Sequence, residues 1–354
     1  MQNRRLRRNQ RLVFGLLAAT AGAFSALSGA NERDGVAKPS AEMQQVLTQL
    51  QSMGGKPIEE LSAPMARKQP APSQAVQMLL KSEGKSIAPE TVAKVEDRSI
   101  PGQGGPIPIK IYWPEGQGPF PVTVYYHGGG WVIATPETYD SSPRALVNGA
   151  RTIVVSVDYR QAPEHKFPAA HEDAFTAYQW ALKNAASIRG RPDRVAVAGE
   201  SAGGNLAVAV SMMARDRNEK LPVYELVIYP IASPKMDTAS YRENANAKPL
   251  NKAMMAWFFD KYLRTSADAK DPRIDLVNAD LKGLPATTLI TAEIDPLRSE
   301  GQELAKRLKD AGVPVTYKNF EGVTHEFFGM GAAVTQAKDA EKLASDDLKK
   351  GFSG

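Results

Sequence analysis

The stretch Gly199-Glu200-Ser201-Ala202-Gly203 constrains this chain more than any other. Before it, Arg194 to Ala198 (RVAVA) alternates like a short buried strand, and after it the run from Asn205 (NLAVAVSMMAR) is a good helix former. A serine between a strand and a helix stands on a sharp turn, and a glycine two residues to either side lets neighbouring backbone approach with no Cβ in the way. Such a turn needs a sheet behind it and a helix packed on that sheet. An α/β layer structure is therefore expected, with Ser201 at the carboxyl end of a strand, where open parallel sheets gather their functional groups.

The remaining hydrophobic pattern agrees. Ala93 to Ile100 and Ile107 to Trp113, joined across Gly102-Gln103-Gly104-Gly105, predict an antiparallel hairpin. Beyond it, apolar or β-branched runs at Val122 to Tyr126, Thr152 to Val157, Arg194 to Ala198, Glu225 to Tyr229, Thr287 to Thr291 and Val315 to Phe320 alternate with helix-length segments. That rhythm predicts a largely parallel central sheet with helices on both faces. In front of the hairpin, Met43, Val46, Leu47, Leu50 and Met53 keep helical spacing, and a proline-rich passage leads to a second helix around Val76, Leu79 and Leu80. These helices form either a separate layer or packing for the core. Between two strands, residues 233–263 break the rhythm with a high density of methionine and aromatic residues, which suits a core-facing helix or a lid whose apolar face meets a ligand.

Charge argues against a polyanionic partner. The formal net charge of the 354-residue chain is +5, and Arg4, Arg5, Arg7, Arg8 and Arg11 account for all of it, so the remainder is neutral. Those arginines precede an apolar run, Leu12 to Leu27, and the small residues Ser28-Gly29-Ala30, the pattern of an export signal cleaved after Ala30. An uncleaved anchor or an ordinary helix is the alternative, but the run is short and diluted for a span of about 20 apolar residues. A periplasmic or secreted mature chain with no stable membrane span is expected, with residues 1–30 as signal, 31–40 as polar linker, 41–90 as N-terminal helices and 91–354 as the main domain. The chain has no cysteine, which removes a disulfide framework, a thiol nucleophile and Cys-based metal sites.

A serine hydroxyl is a weak nucleophile and needs an imidazole oriented by a carboxylate. Only His127, His165, His171 and His325 exist. Where the serine sits on a strand-to-helix turn, the acid and then the base follow it in the chain, and only His325 follows Ser201. For the acid, Asp295 in Glu293-Ile294-Asp295-Pro296-Leu297 lies past a strand end in a turn stiffened by Pro296, with Glu293 as runner-up. After Val122 to Tyr126 comes His127-Gly128-Gly129-Gly130-Trp131, suited to presenting bare N–H groups to a developing oxyanion. Gly129, Gly130 and Ala202, the residue after the serine, are the candidate donors, while His127 ties the loop down. No cofactor or metal site is expected.

Together, His-Gly-Gly-Gly-Trp at 127–131, Asp-Tyr-Arg at 158–160, Ala-Pro-Glu at 162–164, Gly-Glu-Ser-Ala-Gly-Gly-Asn at 199–205, Asp-Pro-Leu at 295–297 and His-Glu-Phe at 325–327 resemble the bacterial hormone-sensitive-lipase-like esterases of the α/β-hydrolase superfamily. The similarity runs from about Val95 to the C-terminus. It implies an α/β-hydrolase fold with a helical cap built from residues 41–90 and 233–263, a Ser201–His325–Asp295 triad, and hydrolysis of short- to medium-chain acyl esters through an acyl-enzyme. The partner implied is a small-molecule ester, and a homodimer is left open. Amide or peptide hydrolysis with the same triad is an alternative, as is a non-catalytic ligand-binding homologue. Glu200 stands where such esterases usually carry Asp or Thr.

Overall fold

The computed structural model describes residues 37–354. The export signal expected over residues 1–30 and most of the linker lie outside the described residues.

Among the described residues eight strands form one sheet: β1 (Lys94–Ile100), β2 (Ile107–Trp113), β3 (Phe120–Tyr126), β4 (Ile153–Val157), β5 (Gly190–Glu200), β6 (Glu225–Ile228), β7 (Thr287–Ile294) and β8 (Val315–Thr324). Their spatial order is β1-β2-β4-β3-β5-β6-β7-β8. The β1–β2 hairpin and the β2–β4 pair are antiparallel, and every later pair is parallel. The α/β-hydrolase fold expected from the sequence is the one observed. Because β3 lies beside β5, the loop after Tyr126 and the turn after Glu200 leave the same end of the sheet as neighbours.

Strand alternation divides the interior. Val195 and Val197 of β5 enter one buried cluster while Ala196 and Ala198 enter another, and Ile153 and Val155 of β4 oppose Val154 in the same way. The first cluster takes in α5 (Ala169–Asn184) and α6 (Ala202–Asp216), through Phe175, Tyr178, Leu206 and Val210. The second takes in α4 (Ser141–Ala150) and α10 (Thr335–Ser353), through Leu146, Val147, Ala340 and Leu348. Burial on both faces explains why these strands read as apolar runs rather than as polar–apolar stripes. Helix α9 (Arg298–Asp310) covers β7 and β8 with Leu304 and Leu308 in a third, smaller cluster.

The N-terminal helices share these interiors and have no core of their own. In α1 (Ala41–Ser52), the Ser40 hydroxyl accepts from the Met43 N–H at 3.2 Å and caps the first turn. Met43 and Val46, with Ala75, Val76 and Leu80 of α3 (Pro72–Ser82), join the α4–α10 cluster. The short α2 (Ala63–Ala66) buries Ala63 and Ala66 in the α5–α6 cluster. The insertion between β6 and β7 contains α7 (Ala239–Glu243) and α8 (Lys252–Tyr262). In it, Phe259 and Tyr262 are buried in the core, while Leu250, Met254 and Phe258 line the cavity above Ser201. Among the described residues no helix is long and apolar enough to cross a membrane.

Candidate active site

Ser201 is the residue at which β5 ends and α6 begins, with φ 56° and ψ −118°. For a residue with a Cβ this is strained backbone, and the surroundings hold it there. The Ser201 N–H donates to the Ile228 carbonyl at 2.9 Å. A Cβ on Gly203 would lie 1.9 Å from the Tyr126 carbonyl oxygen, and one on Gly199 2.1 Å from that of Gly203. Glycine at 203 is therefore a steric requirement of packing the turn against β3, and glycine at 199 of closing the turn on itself.

The Ser201 hydroxyl lies 2.9 Å from His325 Nε2, and His325 Nδ1 lies 2.7 Å from Asp295 Oδ2. All three residues are buried. The second carboxylate oxygen of Asp295 accepts the Leu297 N–H at 2.8 Å, so the turn that Pro296 stiffens also fixes the carboxylate. Burial lowers the basicity of His325, and the charge and hydrogen bond of Asp295, together with the charges of Glu326 and Glu200, more than reverse this, so its pKa stands above the usual imidazole value. Glu293, the runner-up, points elsewhere: it sits at a register shift between β7 and β8 and accepts the Gly322 N–H at 2.8 Å.

Gly129 and Gly130 adopt φ 94° and 59° and line the same cavity as Ser201 and His325. Among the described residues none accepts a hydrogen bond from the N–H of Gly129, Gly130 or Ala202. His127 is buried beneath them, stacked on Tyr159 with ring centres 4.4 Å apart, and burial pushes its pKa down to about 4. It is a neutral fixture of the loop.

Other polar side chains of the sequence serve the frame. Asp173 lies inside α5, and its carboxylate takes the Arg160 N–H at 3.0 Å and the guanidinium at 2.8 Å. His171 joins three elements: Nε2 donates to Asn205 Oδ1 at 3.0 Å and Nδ1 accepts the Tyr262 hydroxyl at 2.7 Å, with a pKa pushed down to about 4 by burial.

Several contributors carry no local signal in the sequence. Arg67, just after α2, donates to the carbonyls of Val132 and Ala162, each at 2.8 Å, and forms a two-pronged pair with Glu164 at 2.7 and 2.9 Å. Asn244, after α7, donates to the Asp295 carbonyl at 3.3 Å, and Ser240 donates to that of Pro296 at 2.6 Å. The insertion thus braces the acid loop. Above the triad opens a cavity of about 830 Å³ with Ile58, Leu250, Met254 and Phe258 in its wall, within the usual range for a small-molecule pocket. Among the described residues no three His, Asp or Glu side chains cluster as a metal ion would require.

Residues 123–329 match a family model described as alpha/beta hydrolase fold. The chain is 39% identical over 263 residues to Carboxylesterase NlhH of Mycobacterium tuberculosis, covering 73% of this chain and 82% of that one. It is 41% identical over 249 residues to Carboxylic ester hydrolase LipN of the same organism, covering 68% and 66%. The solved structure of a hyperthermophilic esterase from the archaeon Pyrobaculum calidifontis superimposes with a TM-score of 0.81 at 37% identity, over 88% of this chain and 98% of that one. The chain belongs to the α/β-hydrolase family, among its hormone-sensitive-lipase-like esterases.

Proposed function

We propose that this carboxylesterase hydrolyses short- to medium-chain acyl esters with Ser201 as nucleophile, His325 as base and Asp295 as the carboxylate that orients it. The observation that carries this is the unbroken run from Ser201 Oγ through His325 to Asp295, at 2.9 and 2.7 Å. Asp295 accepts a hydrogen bond from Nδ1–H, which leaves the Nε2 lone pair facing the hydroxyl. As Oγ attacks the ester carbonyl, Nε2 takes its proton, and the oxygen that becomes negative is met by the N–H groups of Gly129, Gly130 and Ala202. The imidazolium then protonates the departing alkoxide and leaves an acyl-Ser201. Water, deprotonated by the same nitrogen, releases the acid and restores the serine. Support for the acyl-chain range comes from the cavity, whose apolar wall at Leu250, Met254 and Phe258 suits a hydrocarbon chain. Export is proposed on the pattern of residues 1–30 alone, and N-terminal sequencing of exported protein should start near Asn31.

The test is hydrolysis of p-nitrophenyl esters of graded chain length by the wild type and by Ser201→Ala. Wild type should turn over short and medium chains, label with a fluorophosphonate, and lose about 10⁴-fold or more in kcat on the substitution. Its kcat/KM should fall on the acid side with a midpoint above about 6.5, as the raised His325 pKa requires. A wild type that neither hydrolyses nor labels would make the chain a ligand-binding homologue. Anilides cleaved faster than esters would make it an amidase.

A further inference from the structure

Glu326, next to His325, is held in an arrangement that the serine, histidine and aspartate do not explain. Its backbone has φ 68°, a left-handed conformation that glycine adopts freely and a residue with a Cβ does not. Strain kept beside reacting groups points to use of the side chain. The Tyr139 hydroxyl lies 2.6 Å from Oε1 and 2.7 Å from Oε2 of this carboxylate. Oε1 stands 3.8 Å from His325 Nε2, too far for a hydrogen bond and near enough for strong charge coupling. The side chain is 21% exposed and lines the cavity that holds Ser201. Tyr139 packs directly on the glycine-rich loop, where a Cβ on Gly128 would fall 2.2 Å from its hydroxyl. One series of contacts therefore runs from the glycine-rich loop through Tyr139 and Glu326 to the base.

We propose that Glu326 is a second carboxylate for His325, placed beside Nε2 to stabilise the imidazolium that forms when Ser201 gives up its proton. Asp295 serves the Nδ1 side and Glu326 the side that faces the substrate. It is a positioning residue that acts through His325 and takes no proton in the cycle, and the inference rests on the triad proposed above. Four other groups face this pair. Asp295 comes from the turn after β7 and Tyr139 from the segment before α4. Tyr229, after β6, lays its ring 4.6 Å from that of His325, and Glu200, at the end of β5, lies behind Tyr229. Glu200 is completely buried and its carboxyl is pushed up to about 8, so it is neutral at pH 7. Asp295 and Glu326 are then the two carboxylates nearest the His325 ring nitrogens, and Glu200 adds its charge to theirs as it ionises near pH 8. Burial raises the Glu326 carboxyl too, against the pull of His325 and the Tyr139 hydroxyl.

Two variants test this. Glu326→Gln keeps the size and an acceptor for Tyr139 but removes the charge, and Glu326→Gly removes the side chain while relieving the backbone. The measurement is kcat/KM against pH from 5 to 9 on one p-nitrophenyl ester, with thermal melts alongside and Ser201→Ala as reference. In both variants the acid limb should move down by about one pH unit, the effect of one unit charge at this distance under full water screening. The plateau should fall about 3- to 10-fold as the base weakens. Glu326→Gln, which keeps the Tyr139 partner, should melt close to wild type, which separates the charge from any role in holding the fold. If either variant fails to fold, the limb of the other decides. Acid limbs that coincide with wild type, whatever the plateau, overturn the assignment while leaving the triad standing. A Ser201→Ala protein as active as wild type would remove the triad, and the role of Glu326 with it.

Discussion

Tyr229 donates its hydroxyl to the buried carboxyl of Glu200 from directly beneath His325, so the residue preceding Ser201 supports the ring that faces Ser201. Tyr125 donates to the other oxygen of the same carboxyl. Glu200 is thus the shared hydrogen-bond partner of two buried phenols and, protonated for the most part at pH 7, contributes shape and hydrogen bonding more than charge. Glu200→Gln should fold and cost about 1 kcal/mol or less, whereas Glu200→Ala leaves both phenols without a partner next to a cavity and should cost about 3 kcal/mol or more. The pH dependence has a definite sign. A carboxyl whose folded pKa is about 8 against 4.5 unfolded holds its proton more tightly in the folded state. Its contribution to stability is complete below pH 4.5 and is lost as pH rises to 8. Thermal melts of Glu200→Gln should decline less than wild type across that interval, and parallel declines would show Glu200 to be ionised in the fold.

Gly129 and Gly130 occupy equivalent places in the proposed oxyanion loop but fail differently when a Cβ is added. At Gly129 the new atom would meet the Ile133 carbonyl oxygen at 2.2 Å, which is backbone; at Gly130 it would meet the ring of Phe258 at 2.2 Å, which is a side chain. Each alanine substitution should lower kcat by about 10²- to 10³-fold, the usual effect of losing an oxyanion donor. Only Gly130→Ala should be partly rescued by Phe258→Ala, since φ 59° is a strain that the second change leaves in place. Equal failure to rescue at both positions would mean that backbone strain, and not the Phe258 ring, sets the effect at 130.

Asp295 and Glu293 are two residues apart and should separate by measurement. Asp295→Asn keeps the volume but can donate to Nδ1 and so favours the tautomer whose Nε2 carries a proton, and a loss of about 10⁴-fold in kcat is expected. Glu293→Gln keeps an acceptor for the Gly322 N–H and should change kcat by less than about threefold. The reverse ranking would move the acid to Glu293.

Local pattern carried a good deal of this. All eight runs are strands: burial on both faces writes inner strands such as β4 and β6 into the sequence as unbroken hydrophobic stretches, whereas β1 and β8 keep exposed or half-buried residues along much of their length. The two glycines around Ser201 and the lone downstream histidine could be read because each follows from a requirement at a single place. Strand ends were less legible. β8 continues past Phe320 to Thr324, because after the shift at Ala292 pairing resumes with Ile294 opposite Thr324, and His325 therefore follows the strand directly. Contacts between residues distant in sequence could not be read at all. Tyr139 and Glu326 are 187 positions apart, and neither flank hints at the other. The same is true of Ser240 and Asn244 against the acid loop, which only the fold brings together.

Arg67 is the strongest instance, and its geometry yields a prediction about how the N-terminal helices serve the site. Its guanidinium spans two backbone carbonyls, Val132 beside the glycine-rich loop and Ala162 after β4, and grips Glu164 with both prongs. Glu164, held low at about 2 by Arg67, stays ionised throughout the working range. The side chains are 28% and 48% exposed, so water screens the ion pair and most of the value lies in the two carbonyl bonds. Glu164→Gln should therefore change little. Arg67→Ala should cost about 1 to 2 kcal/mol and loosen the wall of the cavity that residues 58–77 supply. KM should rise more than kcat falls, since the triad is untouched while substrate packing is not. Arg67→Lys should fail to restore the wild-type KM, because one ammonium on a flexible stem cannot reach two carbonyls and both carboxylate oxygens at once. A lysine variant with wild-type kinetics would reduce Arg67 to a point charge, and the N-terminal helices would then owe their seat to apolar packing alone.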